Sequence, residues 1–382
     1  MKQPWMIAVL LGLSIAAAGQ KSKVIAVMQM IDAEKYEEAK EAIEEAVEND
    51  RTSRWPRTYY AKGLLCQTAY EAGVEKKDAK GTNLYPDQLF VAYNSYEKAL
   101  ELDTRGRLQS AIGKQYYLLA NDLIQLGEAR YNKEDYPAAL HAFTYALRIG
   151  ESDLIAVRPD TSLIYNAAMA AYESKNYSEA IPYLKELHQG AYDASVSLLL
   201  AIAYQETGDT LKSGNTLMEG METFRYEDTL VMYTVNQLVG AGRLDSATVI
   251  LKRAIQFRPD HSRYYWALGR VQQTMGRAEE ALKSFQKAIE LNPGNPELYY
   301  ETGMCYYNMG IELRQSAQHI PSKEAYQEIR SRYLELLRKS VEWLEKSYEL
   351  DPGNERTVTR LYQLYNHLQM KEAQKTLEPL VN

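Results

Sequence analysis

Residues 262–295 read SRYYWALGRVQQTMGRAEEALKSFQKAIELNPGN, and this stretch decides the fold. Tyr265 and Leu268 in its first half, and Phe285 and Ile289 in its second, recur at helical spacing and form an apolar stripe. Gly276 stands between the halves, where a tight turn needs a permissive backbone. Pro293 stands where a second helix must stop. Gly269 and Ala281 are small where the two helices cross, so their axes can approach closely. The stretch therefore reads as helix A, turn, helix B.

The same phrase recurs on both sides. Upstream stand Gly242, Ala247, Leu251, Ala254 and Pro259; downstream stand Tyr299, Gly303, Tyr306, Leu344, Ser347 and Pro352. One small position falls at Ala39, Ala92, Ala139, Ala180, Ser213, Ala247, Ala281 and Ser340. The steps from 213 to 247 and from 247 to 281 are both 34, and 180 to 213 is 33. Longer steps elsewhere place surplus residues around Lys76 to Pro86 and between Gly303 and Ser340. There residues 311–318 and 322–350 read as helix, broken at Ile320 and Pro321. Residues 106–119 extend a third helix A backwards. A lone hairpin of this kind cannot bury both of its faces, so neighbours must stack.

The 34-residue period and its residue types resemble the tetratricopeptide repeat. The resemblance covers nearly everything after residue 19, and is most specific from Asp228 to Pro352. It implies an all-α fold, a right-handed α-solenoid of tetratricopeptide-like helix hairpins, with about eight units plus a C-terminal cap. The expected units are 20–50, 56–104, 106–152, 161–190, 194–225, 228–259, 262–295 and 296–353, closed by a pair over 355–380. Residues 20–382 thus form a single solenoid, with lengthened helices in units 56–104 and 296–353 that project beyond the stack.

The first residues read as an address. Lys2 precedes an apolar or small run from Ile7 to Ala18, and Ala16 to Gln20 offers a cleavage site after Ala18 or Gly19. That order is a secretory signal peptide, residues 1–19, too short to span a bilayer comfortably. No cysteine stands near the site to carry a lipid. The expected product is exported, and periplasmic if the source is Gram-negative. No membrane span is expected after cleavage.

Composition narrows the chemistry. A net charge of -7 over 382 residues gives no basic footprint for nucleic acid. Two cysteines exclude a disulfide scaffold, and Cys66 and Cys305 both sit in apolar helical stretches, where they read as separate buried thiols. The five histidines are scattered singly, so neither a metal nor another cofactor is expected. The carboxylates from Glu34 to Glu48 read as a solvated helix face around Ala39, Ile43 and Ala46. With no phosphate loop, nucleophile elbow or acid–base pair, no enzymatic activity is expected.

What remains is the inner surface that the resemblance implies, lined by the second, fifth, ninth, twelfth and thirteenth residues of each helix A. Its fifth and twelfth positions carry Tyr60, Tyr131, Tyr165, Tyr172, Trp266, Tyr300 and Tyr307. Beside them stand Arg57, Arg263, Arg270, Gln273, Asn236 and Asn308, with Gln67, Asn132, Glu173 and Glu297. Tyrosine and tryptophan give wide contact area at low rotamer cost. Tyrosine is unusually common, 31 against 5 Phe, and any one of them is equally repeat-core material. Trp266 with Arg263 and Arg270 forms one cationic aromatic face suited to a carboxylate. No lysine occupies the fifth positions, so the family's known carboxylate clamp is absent.

These residues point to a non-catalytic scaffold that holds a protein or peptide in its groove within the cell envelope. The alternative is carbohydrate or cell-wall glycan binding through the groove aromatics. A third reading is a homo-oligomer joined through an end repeat.

Overall fold

The computed structural model describes residues 21–155, 160–316 and 322–381. Its elements run in pairs: α1 (21–32) with α2 (Tyr36–Glu48), then α3 (Pro56–Lys76), a short α4 (Ala79–Thr82) and α5 (Gln88–Leu102). Next come α6 (Gln109–Tyr131) with α7 (Tyr136–Gly150), and α8 (Thr161–Glu173) with α9 (Tyr177–Gln189). They are followed by α10 (Ala194–Glu206), α11 (Thr210–Thr223), α12 (Asp228–Gly240) and α13 (Leu244–Phe257). The chain ends with α14 (Ser262–Thr274), α15 (Ala278–Leu291), α16 (Pro296–Ser316), α17 (Lys323–Leu350), α18 (Glu355–His367) and α19 (Lys371–Val381). No strand occurs among the described residues. The fold is all-α, built of helix hairpins in the solenoid manner.

Two compact units divide the chain: residues 1–190 with 202–210, and residues 191–201 with 211–382. In the first, α2 packs on α3, α3 on α5, and α5 to α9 follow in chain order. In the second, α12 to α19 pack one on the next in the same way. The expected signal peptide and the expected break at Ile320 and Pro321 lie outside the described residues.

The repeat register is visible in what is buried. All eight small positions, from Ala39 to Ser340, are buried. At four hairpin crossings a glycine of helix A receives a large side chain of helix B. A Cβ on Gly269 would stand 2.6 Å from the Phe285 ring, and one on Gly127 would stand 2.4 Å from Phe143. Gly63 meets Tyr96, and Gly303 meets Leu344, in the same way. So the small residue does more than let two axes approach: it makes the hole into which the aromatic knob of its own hairpin fits.

Turns and stops follow local chemistry. Gly276 and Gly242 take φ of +74° and +71°, as the turn from A to B requires. Pro259, Pro293 and Pro352 each stand two residues past the end of a helix B. Their carbonyls also serve the next helix: the Tyr265 hydroxyl donates to Pro259 O at 3.1 Å, and Tyr299 donates to Pro293 O at 3.0 Å. Other tyrosines are core with satisfied hydroxyls. Tyr264 donates to Tyr226 O at 2.7 Å, and Tyr96 donates to Gln67 Oε1 at 2.9 Å. Much of the tyrosine excess is therefore structural.

Four helices are longer than the repeat's usual length. α3 has 21 residues, α6 has 23, α16 has 21 and α17 has 28, against 13 in α14. In the second hairpin the remainder forms α4, entered through Lys77 in the left-handed region. The solvated face of α2 has one exception. Glu44 accepts from the Tyr85 hydroxyl at 2.7 Å and pairs with Lys62 at 2.9 Å. Burial pushes its carboxyl up, and these partners more than offset that, holding it below the usual carboxylate range.

Cys66 and Cys305 are free and buried. Burial pushes both thiols up to about 12, so neither is nucleophilic at neutral pH. Among the described residues no helix is long and apolar enough to cross a membrane.

Candidate functional site

In the second unit the first helices of three successive hairpins, α14, α16 and α18, line a cleft of about 420 Å³. Arg270, Gln273, Tyr300 and Asn308, all singled out by sequence, meet there. Thr274, Glu301, Met304 and Arg356 complete the wall. Arginines lie over aromatic rings in three places around it: Arg270 over Trp266 at 5.3 Å, Arg356 over Tyr300 at 4.4 Å, and Arg360 over Tyr307 at 4.5 Å. Stacking of this kind holds a guanidinium flat and leaves its edge donors available.

The carboxylates in reach are imperfect partners. Arg270 Nε stands 3.6 Å from Glu301, and Arg356 Nη1 stands 3.4 Å from Glu297. A well-formed charge-assisted hydrogen bond is shorter, ~2.7–2.9 Å. Glu301 is only 8% exposed, and burial pushes its carboxyl up against the pull of Arg270. Arg360 donates to Gln363 at 3.1 Å. The cleft thus holds guanidinium edges that an incoming acidic group can satisfy better than its own glutamates do.

One expected grouping is corrected. Arg263 does not join Trp266 and Arg270, because its guanidinium pairs with Asp228 at 2.5 Å on the preceding hairpin. Trp266 itself is half-buried, with its Nε1 enclosed and unpartnered. Asn236 is exposed on α12, away from this cleft. Arg356 and Arg360 were not among the residues chosen from sequence. They stand four apart at the start of α18, just after Pro352, Gly353 and Asn354, and that spacing was the available signal.

The first unit has a different trough. Glu128, Tyr131, Asn132, Tyr165, Asn166 and Met169 surround about 340 Å³. Glu128 and Asn166 also belong to an adjoining cavity of about 290 Å³, with Tyr117, Asn121 and Ile124. Tyr131 and Tyr165 come together there, and Tyr117, 60% exposed, joins them from the lengthened part of α6. No arginine or lysine lines either cavity. Arg57 and Tyr60 sit apart on α3, Arg57 exposed and Tyr60 half-buried with its ring 6.1 Å from Tyr96. Tyr172 is half-buried against Tyr177, ring to ring at 5.3 Å.

Asp122 and Glu71, on α6 and α3, form a carboxylate pair. Burial first, then the Glu71 charge, pushes Asp122 up to about 7. Gln67 donates to the other side of the pair, at Glu71 Oε1, at 2.9 Å. Among the described residues no three His, Cys, Asp or Glu side chains assemble as a metal-ligand set.

Comparison with known proteins agrees with the hairpin architecture. Residues 274–310 match the family model described as TPR repeat, and residues 124–194 match the one described as tetratricopeptide repeat. Human protein O-mannosyl-transferase TMTC3 is 24% identical over 204 residues, which is 47% of this chain and 20% of that protein. The chain thus spans about a fifth of the length of that relative. Among solved structures, a TPR repeats protein from Bacteroides fragilis is 18% identical, with 65% of this chain and 98% of that chain covered and a TM-score of 0.35. MamA from AMB-1 is 22% identical, with coverage of 50% and 92% and a TM-score of 0.33.

Proposed function

We propose that this protein is a non-catalytic scaffold that holds a partner polypeptide against the first helices of its hairpins, in the cleft between α14, α16 and α18. The observation that carries the reading is the convergence of Arg270, Gln273, Tyr300 and Asn308 with Arg356 in one recess. Stacked guanidinium edges, with only distant carboxylates to satisfy them, suit an acidic side chain of the partner. The protein works after export, in the periplasm if its source is Gram-negative. The mature chain then begins at Gly19 or Gln20, which N-terminal sequencing of the exported product checks.

A photo-crosslinking residue placed at Gln273 tests the cleft in native envelopes. A discrete polypeptide adduct is expected, lost in Trp266→Ala/Arg270→Ala. An adduct pattern untouched by that pair removes the cleft from consideration.

The trough in the first unit favours a second reading, glycan binding. Tyr117, Tyr131 and Tyr165 offer ring faces beside Asn121, Asn166 and Glu128, with no cation among them. Saturable binding on a glycan array that fails with Tyr117→Ala is the outcome this reading requires.

A further inference from the structure

Between α7 and α8 the chain takes ten residues, 151–160, where α13 to α14 and α15 to α16 take four. Beside that connector a cavity of about 890 Å³ opens between α7 and α9, sharing Gly150 and Ile155 with the cavity that Tyr117 lines. Its floor is apolar, with buried Leu147 and Ile164. Among the described residues its rim carries four carboxylates, Glu151, Asp153, Glu179 and Glu186, and one guanidinium, Arg148. Arg148 lies over the Tyr145 ring at 5.1 Å, toward an adjoining cavity of about 470 Å³ that it also lines with His141. Thr144 faces both cavities, and its Oγ1 is enclosed without a hydrogen-bond partner.

The spacing on α9 defines a ligand. Glu179, Tyr183 and Glu186 are four and three residues apart and share one helix face. Seven residues of rise set the two glutamates about 10.5 Å apart along the axis, with the tyrosine ring between them. An apolar floor and two separated carboxylates with an aromatic ring between them suit a thin, flexible chain with a cation at each end and one within. A fully extended triamine of nine N–C and C–C bonds reaches about 11 Å between its terminal nitrogens.

We propose that this cavity binds a linear polyamine. The terminal ammonium groups sit on Glu179 and Glu186, the inner one sits over Tyr183, and the methylenes lie on Leu147 and Ile164. Glu179 and Glu186 are exposed on α9 and Tyr183 is half-buried between them, so each ammonium reaches its carboxylate from solvent. A basic peptide would need only the acidic rim, whereas the matched length selects a small linear ligand.

Isothermal titration calorimetry of the full chain with spermidine tests this. One saturable site per chain is expected, with putrescine, too short to reach both glutamates, at least tenfold weaker. Glu186→Gln and Tyr183→Leu are each expected to lower affinity at least fivefold, while Tyr183→Phe binds as the parent does. Glu41→Gln on α2 changes nothing. The proposal falls if no saturable heat appears, if putrescine binds equally well, or if magnesium ion displaces spermidine at equal concentration. It falls equally if Tyr183→Phe loses as much as Tyr183→Leu, if Glu41→Gln matches Glu186→Gln, or if only a lysine-rich peptide binds. Circular dichroism of each variant establishes that the helices persist.

Discussion

Asp122 is a carboxyl held where water is scarce and a like charge is near, and its protonation belongs to the fold. Its pKa is raised to about 7, against an unfolded value of about 3.9. Between those limits the folded chain keeps a proton that the unfolded chain has released, so the stability this group contributes is full in acid and is lost as pH rises through about 7. Asp122→Asn mimics the protonated group. It is expected to raise the urea midpoint at pH 7.5, to leave it nearly unchanged at pH 4, and so to flatten the difference. A parallel offset at both values would assign the effect to packing. Gly269 makes a second residue-scale test. Gly269→Ala drives a methyl into the Phe285 ring and is expected to cost about 1–3 kcal/mol in denaturant melts. In a Phe285→Ala background the same change becomes nearly free, because the obstructing ring is gone.

Among elements, the turn from helix A to helix B is solved in two ways. Gly242 and Gly276 meet its left-handed backbone without strain, whereas Glu134 and Lys175 stand in comparable turns with φ of 62° and 59°. A non-glycine residue there costs about 1–2 kcal/mol, partly offset by the extra freedom glycine has when unfolded. Lys175→Gly is therefore expected to stabilise by up to about 1 kcal/mol, with Gly276→Ala losing a similar amount as the matched control. Both read directly as shifts in thermal midpoint. Helix boundaries were legible in the sequence because the signals are local: glycine at the turn, proline two residues past the end, a small residue at each crossing. The role of each tyrosine was not. Tyr265 and Tyr299 read as apolar members of the repeat, and nothing local foretells that their hydroxyls donate to Pro259 O and Pro293 O. Likewise Arg263 is indistinguishable from Arg270 until Asp228 takes it. Partners on neighbouring hairpins decide these cases, and a 34-residue period carries no record of them.

At the scale of the whole molecule, the hairpins from α2 to α9 and from α12 to α19 touch mainly their neighbours in sequence, so a wound stays local within its unit. Ala281→Leu overfills the crossing of α14 and α15. Hydrogen exchange is expected to quicken in those helices and their immediate neighbours while α6 and α7 keep their protection. Uniform loss along the chain would instead mean a single cooperative body. The lengthened α6 was legible as residues that extend a helix backwards, but not the recess beside it. That depends on which side chains face each other across hairpins.

Cys66 lies in the first compact unit and Cys305 in the second, each sealed and chemically silent while its surroundings hold. Each unit therefore carries its own built-in clock. A maleimide left in solution labels a thiol only during the moments its helix lifts away, and peptide mapping tells the two sulfurs apart. The rates at which they are labelled measure, without any engineered probe, how often either unit breathes.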